Sequence, residues 1–345
     1  MSTETTTAPA PTAATAKPAT VTILAALNKA LTDAFAEDDK LLALGEDLAD
    51  PEEGGIVGVT KGLSTRFGDD RVRSTPIAEQ AIIGAAIGAS LIGYKPVAEI
   101  MLMNFTTVAM DMIVNHAAKL RFMSGGQTSV PIVIRTMTGL GYGSGGQHCD
   151  YLEAWFAHTP GIKVVAPSTP DDAYGLLRSA IEDPDPVLFI ENLPTYRTPV
   201  PGVLPDTGFR VPLGKAAVQR EGTDVTVISY ARLAGEARAA AEIAAAAGVS
   251  AEVVDLRTIA PWDRETVLAS ARKTGRVLIV HEAVKQFGVG AEIAAVIQEE
   301  LFGQLKAPVR RLGGAYSAVP YSKPLEAAYA PDRARIAEAI TALAG

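Results

Sequence analysis

A glutamate near the start of a small, apolar segment is the first residue that could carry chemistry. The segment RVRSTPIAEQAIIGAAIGASLIG, residues 71–93, is typical of a strand end, a turn and a buried helix, and it contains Glu79. Ser74 or Thr75 is expected to cap this helix, with Pro76 at its first position. A capping box needs an acid three residues after the cap, whereas Glu79 follows Thr75 by four. Glu79 therefore either favours the positive end of the helix in a general way or takes part in a reaction.

A glycine-rich loop with a histidine is the second candidate. TGLGYGSGGQHCD, residues 138–150, follows the predicted strand VPIVIRTM and formally contains the pattern G-x-G-x-x-G. Dinucleotide binding would also require that this loop open a helix and that the next strand end in an acid, but IKVVAPS ends in Ser168. A flexible loop that brings His148 close to a ligand, at the carboxyl end of a strand, is the favoured interpretation.

The other reactive side chains give weaker signals. Cys149 is the only cysteine, so an intramolecular disulfide and a metal site built on cysteines are excluded. Because side chains of neighbouring residues diverge, Cys149 and His148 do not form a nucleophile pair, and Cys149 is interpreted as structural. Phe105 follows EIMLMN, and composition alone favours a role in core packing. His281 follows an apolar strand and its role stays open, while no clustered ligand motif or phosphate loop is present, so no metal ligands are predicted.

Composition limits the class of protein. With 345 residues the chain can form two domains, and 48% hydrophobic with 20% charged residues is typical of a compact soluble protein. The formal charge of −8 argues against nucleic acid and anionic membranes as partners, and no apolar run is long enough to span a membrane. Residues 1–20, rich in Thr, Ala and Pro, are predicted to be a disordered tail without signal-peptide features, and we expect a cytoplasmic location.

Alternating strand and helix patterns predict an α/β fold with mostly parallel sheets. A first domain is predicted over 21–200, a linker over 201–214 and a smaller α/β domain over 215–345, because a proline-rich stretch without periodicity separates two alternating regions. The predicted strands are 40–47, 94–102, 130–137, 162–168, 186–191, 224–231, 250–261 and 276–282. The predicted helices, besides the one that contains Glu79, are 21–39, 105–126, 170–183, 235–248, one from about 263, and 288–302.

Several motifs occur in one order and together carry a family resemblance. They include LGED, STPIAEQAIIGAAIGASLIGYKPVAEI, DMIVNHAAKLRFMSGG, GSGGQH, AWFAHTPGIKVVAPSTPDDAYGLL and FGVGAEI. From about residue 21 to about residue 340 the chain resembles the beta subunit of the thiamine-diphosphate-dependent E1 component of 2-oxo acid dehydrogenase complexes. The resemblance implies a transketolase-like pyrimidine-binding domain followed by a smaller transketolase C-terminal domain.

The resemblance also implies partners. They are an E1 alpha subunit, in an α2β2 heterotetramer with cofactor sites between alpha and beta, and the lipoyl acyltransferase core E2. Enzymes that use thiamine diphosphate hold the diphosphate and Mg²⁺ with a G-D-G motif and a later Asn, but this chain contains no G-D-G. The metal and diphosphate ligands are therefore expected on the alpha subunit, and K⁺, which such proteins often bind, is a further expected ion.

Four residues acquire roles through the resemblance. Glu79 matches the glutamate that hydrogen-bonds the cofactor's aminopyrimidine and thereby helps to deprotonate its thiazolium carbon. Phe105 matches an aromatic residue that stacks on that ring, worth about 1 kcal/mol beyond area burial. His148 matches a histidine that serves the later acylation of lipoamide. Glu46, in LGED, resembles an acid that lines the polar path between paired sites, although a strand-end surface acid is also possible.

The implied function is the oxidative decarboxylation of a 2-oxo acid on thiamine diphosphate, followed by acylation of the lipoyl group of E2. VPIVIRTMTG and GGQH favour the pyruvate and acetoin branches, with pyruvate first, and a branched-chain 2-oxo acid stays open. A split transketolase subunit would need a cluster of basic phosphate-binding residues, and none stands out. A non-catalytic assembly subunit is disfavoured by the presence of Glu79, Phe105 and His148.

Overall fold

Strands and helices alternate through both halves of the computed structural model, which describes residues 19–345. The strands are β1 Thr20–Val21, β2 Leu41–Gly45, β3 Val72–Ser74, β4 Lys95–Leu102, β5 Val133–Thr138, β6 Lys163–Val165, β7 Val187–Asn192, β8 Val200–Pro201, β9 Ala217–Arg220, β10 Val225–Ser229, β11 Ala251–Asp255, β12 Thr258–Ala260, β13 Val277–Val284 and β14 Arg310–Gly314. The helices are α1 Ile23–Glu37, α2 Leu63–Phe67, α3 Glu79–Leu91, α4 Leu120–Met123, α5 Glu153–Ala157, α6 Pro170–Glu182, α7 Ala231–Ala246, α8 Arg264–Thr274, α9 Val289–Leu301, α10 Lys323–Tyr329 and α11 Arg333–Ala344. None of the helices within the described residues is long and apolar enough to cross a bilayer.

Two larger sheets organise the chain. The first has the order β12-β6-β7-β5-β4-β2-β3 and is parallel except for β12, and the second has the order β14-β13-β10-β11-β9 and is parallel except for β9. Helices α1 and α6 pack on one face of the first sheet, and α3 packs on β4 from the other face. The predicted α/β fold with mostly parallel sheets is confirmed.

The start of the described chain is extended. Thr20 and Val21 form β1, which pairs antiparallel with β8. Residues 1–18 of the predicted disordered tail lie outside the described residues, but Thr20, its last residue, belongs to this two-stranded ribbon.

The helix that contains Glu79 begins later than the sequence predicts. Its first residue is Glu79 itself, three positions after Pro76, and no side chain caps it. The predicted cap fails because both hydroxyls have other partners: Ser74 Oγ accepts the Ala49 N–H at 2.9 Å, and Thr75 Oγ1 donates to the Pro76 carbonyl at 3.0 Å. Glu79 therefore lies at the amino end of the helix, not one turn inside it.

The predicted helix over 105–126 is interrupted, and this is a second correction. The segment consists of a 3₁₀ turn, a π-helical turn and a short α-helix: Met103–Thr107, Met112–Ala117 and Leu120–Met123. The hydroxyls of Thr106 and Thr107 donate to carbonyls three residues earlier, which favours the tighter first turn.

The predicted strand 250–261 divides between the two sheets. β11 pairs with β10 in the second sheet, whereas β12 crosses over and pairs antiparallel with β6 at the edge of the first sheet. Between them, Arg257 adopts a left-handed φ of 57° and its carbonyl accepts the Ala166 N–H at 2.8 Å. The two halves of the chain are therefore joined through backbone pairing, which binary patterning alone does not reveal.

A buried carboxyl at this junction makes stability depend on pH. Asp255 accepts hydrogen bonds from Ser168 and from Gln219 Nε2, the latter at 2.8 Å, and burial together with the nearby charge of Asp172 raises the pKa of Asp255 to about 7. Because the folded pKa lies above the unfolded one, the stabilising protonated form is lost as pH rises. Burial raises the pKa of Glu153 to about 7 as well.

We therefore expect the melting temperature to fall between about pH 5 and about pH 8, and the variant Asp255→Asn/Glu153→Gln to show a flatter profile. Differential scanning fluorimetry across this range measures both curves. Parallel profiles for the wild type and the double variant would show that these carboxyls are ionised throughout.

Candidate active site

The four candidate residues follow the carboxyl ends of four adjacent strands. Glu46 comes directly after β2, Glu79 opens the helix after β3, Phe105 lies in the turn after β4, and His148 lies in the loop after β5. These strands stand side by side in the order β5-β4-β2-β3. Since parallel strands end at one edge of a sheet, topology alone brings the four residues to that edge, where open α/β sheets bind ligands.

Glu79 and Glu46 form an acidic pair. Glu79 is 7% exposed and Glu46 8% exposed, which is rare for carboxylates. Burial raises the pKa of Glu46, and the negative charges of Glu79 and Asp47 raise it further. Burial beside another carboxylate therefore favours the protonated form of Glu46.

A buried ionic network continues from this pair into the sheet and was not predicted. Arg135 on β5 donates from Nη1 to Glu99 Oε2 at 2.6 Å and from Nε to Glu191 Oε1 at 2.6 Å. Tyr196 donates its hydroxyl to the same Glu191 carboxylate. Burial raises the pKa of Glu99 although Arg135 opposes it, and the charge of Glu46 adds to the rise. The sequence did contain a sign of this network, because a charged residue stands inside each of the apolar strand patterns VAEIML, VIRTM and LFIE.

Phe105 and His148 meet above the sheet edge. Their ring centroids are 5.7 Å apart and their planes cross at 71°, an edge-to-face arrangement. The Nδ1 atom of His148 is buried and has no hydrogen-bond partner among the described residues. A buried nitrogen without a hydrogen-bond partner is costly, so a water molecule or a bound ligand is expected to pair with this atom.

The glycine loop between β5 and α5 is not a dinucleotide fingerprint. No helix opens at its glycines, and the next helix begins only at Glu153 and has five residues. Asn104 secures the far end of the loop, because its Nδ2 donates to the Gly146 carbonyl at 2.8 Å and to Asp150 Oδ2 at 3.0 Å. The structure therefore contradicts NAD binding by this loop and supports its interpretation as the carrier of His148.

Cys149 points away from this site. It is buried in a small apolar cluster with Leu140, Val319, Tyr329 and Ala330. Burial raises the pKa of the Cys149 thiol to about 11, which removes the thiolate that nucleophilic chemistry needs. The structural role predicted for Cys149 is confirmed.

His281, left open by the sequence, is a neutral core residue. Its Nδ1 lies 3.0 Å from the Ala283 carbonyl, its ring stacks near Tyr230, and burial lowers the pKa to about 4. Within residues 19–345 no group of three or more His, Cys, Asp or Glu side chains is arranged to hold a metal ion.

Two family models match the chain in succession. Residues 19–199 match the transketolase pyrimidine-binding domain, and residues 214–336 match the transketolase C-terminal domain. Among solved structures, a split-gene transketolase described as an inactive beta4 tetramer superimposes with a TM-score of 0.76 at 24% identity, covering 94% of this chain and 98% of that one. This likeness concerns the fold.

Relatives with curated names indicate which class of transketolase-like protein this chain resembles. The mitochondrial pyruvate dehydrogenase E1 component subunit beta of Pisum sativum is 45% identical over 90% of this chain and 87% of its own. The acetoin:2,6-dichlorophenolindophenol oxidoreductase subunit beta of Cupriavidus necator is 42% identical, covering 92% and 96%. The 3-methyl-2-oxobutanoate dehydrogenase subunit beta of Mycobacterium tuberculosis is 43% identical, covering 93% and 91%.

The chain therefore belongs to the transketolase-like, thiamine-diphosphate-dependent family of E1 beta subunits of 2-oxo acid dehydrogenases. Such a subunit works with an alpha subunit inside a multienzyme complex.

Proposed function

We propose that this chain is the beta subunit of an E1 enzyme that oxidatively decarboxylates pyruvate and acylates the lipoyl group of an E2 core. The observation that carries the proposal is the buried pair Glu79 and Glu46 at the carboxyl edge of the first sheet, beside Phe105 and His148. The names of the relatives from Pisum sativum and other organisms support pyruvate as the substrate.

The residues of this edge fit thiamine diphosphate. An aminopyrimidine is a flat ring with a hydrogen-bonding rim, and the edge offers a buried carboxyl in Glu79, an aromatic face in Phe105 and an unpaired buried nitrogen in His148. When bound, the cofactor supplies a carbon nucleophile and an electron sink for the 2-oxo acid.

Glu79 is assigned the role of holding a proton at the aminopyrimidine. Its position at the amino end of α3 fixes the carboxyl on a rigid element, and the apolar residues that follow it exclude water. Glu46 lies close enough for the charge of Glu79 to add to the rise that burial causes in the pKa of Glu46. Glu46 is assigned a supporting role, as the link between Glu79 and the buried carboxyls of the sheet.

His148 is assigned to the second half-reaction. Its Nδ1 has no hydrogen-bond partner among the described residues, and its ring meets Phe105 edge to face. A group so placed can protonate the lipoyl sulfur that leaves when the disulfide is opened, which is a general-acid role.

The chain holds part of the site. Because it lacks G-D-G, we assign the ligands of Mg²⁺ and diphosphate to the alpha subunit of an α2β2 heterotetramer, and leave K⁺ as an accessory ion without assigned ligands. A cytoplasmic location remains our proposal, and fractionation of the native host tests it.

Acetoin is the second candidate substrate, because the acetoin oxidoreductase subunit of Cupriavidus necator is 42% identical to this chain and the match spans 96% of that subunit. A tagged pull-down from the native host, assayed with pyruvate, 2-oxoisovalerate and acetoin in the presence of a dye acceptor, separates the branches. We expect a copurified alpha chain and dye reduction with pyruvate that requires thiamine diphosphate and Mg²⁺. A lone chain that is inactive with every substrate would refute the proposed function.

Cofactor affinity tests the role of Phe105. Replacing it in the αβ assembly, Phe105→Ala, removes the proposed stacking face, and we expect the Kd for thiamine diphosphate to rise about tenfold, since such contacts and the lost burial are together worth about 1–2 kcal/mol. Phe302→Ala is a control, because Phe302 is 81% exposed on the second domain. Titration by quenching of intrinsic fluorescence measures the Kd of both variants. An unchanged Kd for Phe105→Ala would show that Phe105 serves core packing and does not bind the cofactor.

A further inference from the structure

A carboxylate from the second domain holds the loop that carries His148. Glu326, in α10, is 4% exposed and accepts the Gly141 N–H at 2.7 Å with Oε1 and the Gly143 N–H at 3.1 Å with Oε2. Each carboxylate oxygen thus binds one backbone amide of the loop. A second carboxylate of the same domain, Glu282, accepts the Leu140 N–H at 3.2 Å.

Packing adds to these hydrogen bonds. The ring of Tyr321 lies directly on Gly145, where φ is 71° and a Cβ atom would come within 2.4 Å of the ring. Only glycine fits this approach. On the inner side, Cys149 packs against Val319 and Tyr329 of the same second-domain segment. The loop is therefore pressed onto residues 319–329 on both sides of His148.

The opposite end of the loop is fixed by the first domain. Asn104 binds the Gly146 carbonyl, and the His148 N–H donates to the Gly145 carbonyl at 3.2 Å in a tight turn. Since the Nδ1 atom of His148 has no partner within the described residues, no side chain of the loop's surroundings orients the imidazole through that atom. The direction of the ring depends on its backbone and on the edge contact with Phe105.

We propose that Glu326, assisted by Tyr321, is a positioning residue for His148, so that the second domain sets the geometry of acyl transfer to the lipoyl group. This inference rests on the role of His148 in the proposed function. Glu326 binds the loop backbone and acts through it, so its loss affects the step that needs His148 and spares the step that depends on Glu79.

The variant Glu326→Gln tests this with little change of shape. One side-chain oxygen becomes an NH₂ group that cannot accept from the Gly143 N–H, so one of the two loop bonds is lost. We expect amide exchange in the peptide 139–149 to quicken at least about fivefold. Lipoyl acylation should fall about tenfold to about a hundredfold, because small misplacements of a reacting group are costly, while dye-coupled turnover falls less than about threefold.

Two further variants make the test specific. Glu338→Gln repeats the chemical change at an exposed position of α11 and should leave exchange and both reactions unchanged. Tyr321→Ala removes a ring that is 63% exposed, so folding is not at risk, and should loosen the same peptide. In the background of His148→Ala, the change Glu326→Gln should cost less than about twofold in lipoyl acylation, because residues that act through one another are not additive.

Hydrogen exchange and kinetics together give distinct outcomes. If amide exchange in peptide 139–149 is unchanged in both Glu326→Gln and Tyr321→Ala, the proposal that these two residues hold the loop is wrong. Faster exchange with equal loss of lipoyl acylation and dye reduction would overturn the positioning of His148. If the wild-type assembly shows no 2-oxo acid activity, the proposed function fails, and the exchange measurement still decides whether Glu326 holds the loop.

Discussion

Replacing Glu79 with glutamine is expected to abolish decarboxylation. Glutamine keeps the shape of the side chain but cannot hold a proton at the aminopyrimidine, and the loss of such a proton-transfer group typically costs about 10²–10⁴-fold. We therefore expect Glu79→Gln to lower pyruvate-dependent dye reduction at least about a hundredfold. Size-exclusion chromatography should show an αβ assembly like that of the wild type, since glutamine has nearly the volume of the buried Glu79 side chain and creates no cavity.

A matched substitution separates chemistry from helix stabilisation. Glu292 also lies in the first turn of a helix, α9, but is exposed. If the acid at the helix start acts only through the helix dipole, then Glu79→Gln and Glu292→Gln should both change stability slightly and leave turnover intact. Normal turnover in Glu79→Gln would refute its assigned role.

Replacing His148 with alanine is expected to separate the two half-reactions. An artificial electron acceptor bypasses the lipoyl group, so the dye assay does not require a proton donor at the lipoyl sulfur. We expect His148→Ala to reduce acylation of lipoyl domain about a hundredfold, in the usual range for a general acid, and dye reduction less than about fivefold. Stopped-flow measurement of both reactions on one preparation gives the ratio.

The control for this ratio is another histidine. His116 is half exposed, and its Nε2 lies 3.5 Å from Asp111 Oδ2, away from the edge-to-face contact that places His148. His116→Ala should leave the ratio of the two reactions at the wild-type value. Equal losses in both assays for His148→Ala would count against a role confined to the lipoyl step.

The sheet and the site edge are predictable because they depend on local patterns. VPIVIRTM and PVLFIE are rich in β-branched and apolar residues, and they form β5 and β7 close to their predicted bounds. Glu46 lies near the end of the predicted strand 40–47, Glu79 follows a predicted strand end, and His148 follows the predicted strand 130–137. A parallel sheet therefore brings them to one edge without knowledge of any contact. Their roles, in contrast, came from the resemblance to a family.

The features of the fold and the site that the sequence does not predict depend on contacts between residues distant in sequence. Glu326 reaches Gly141 across 185 positions, and no local pattern in KPLEAAY indicates that its acid is buried. The crossing of β12 into the first sheet requires the left-handed Arg257, which the sequence does not mark with a glycine. The helix start at Glu79 was misplaced because the hydroxyl of Ser74 binds a distant amide and is not available as a cap.

Release of labelled CO₂ from carboxyl-labelled pyruvate by the purified αβ assembly tests the central claim most directly. The wild-type assembly is predicted to release label only when thiamine diphosphate is added, and the assembly with Glu79→Gln is predicted to release none above background. Equal release by the two assemblies, or no cofactor-dependent release from pyruvate by an intact wild-type assembly, would contradict the account.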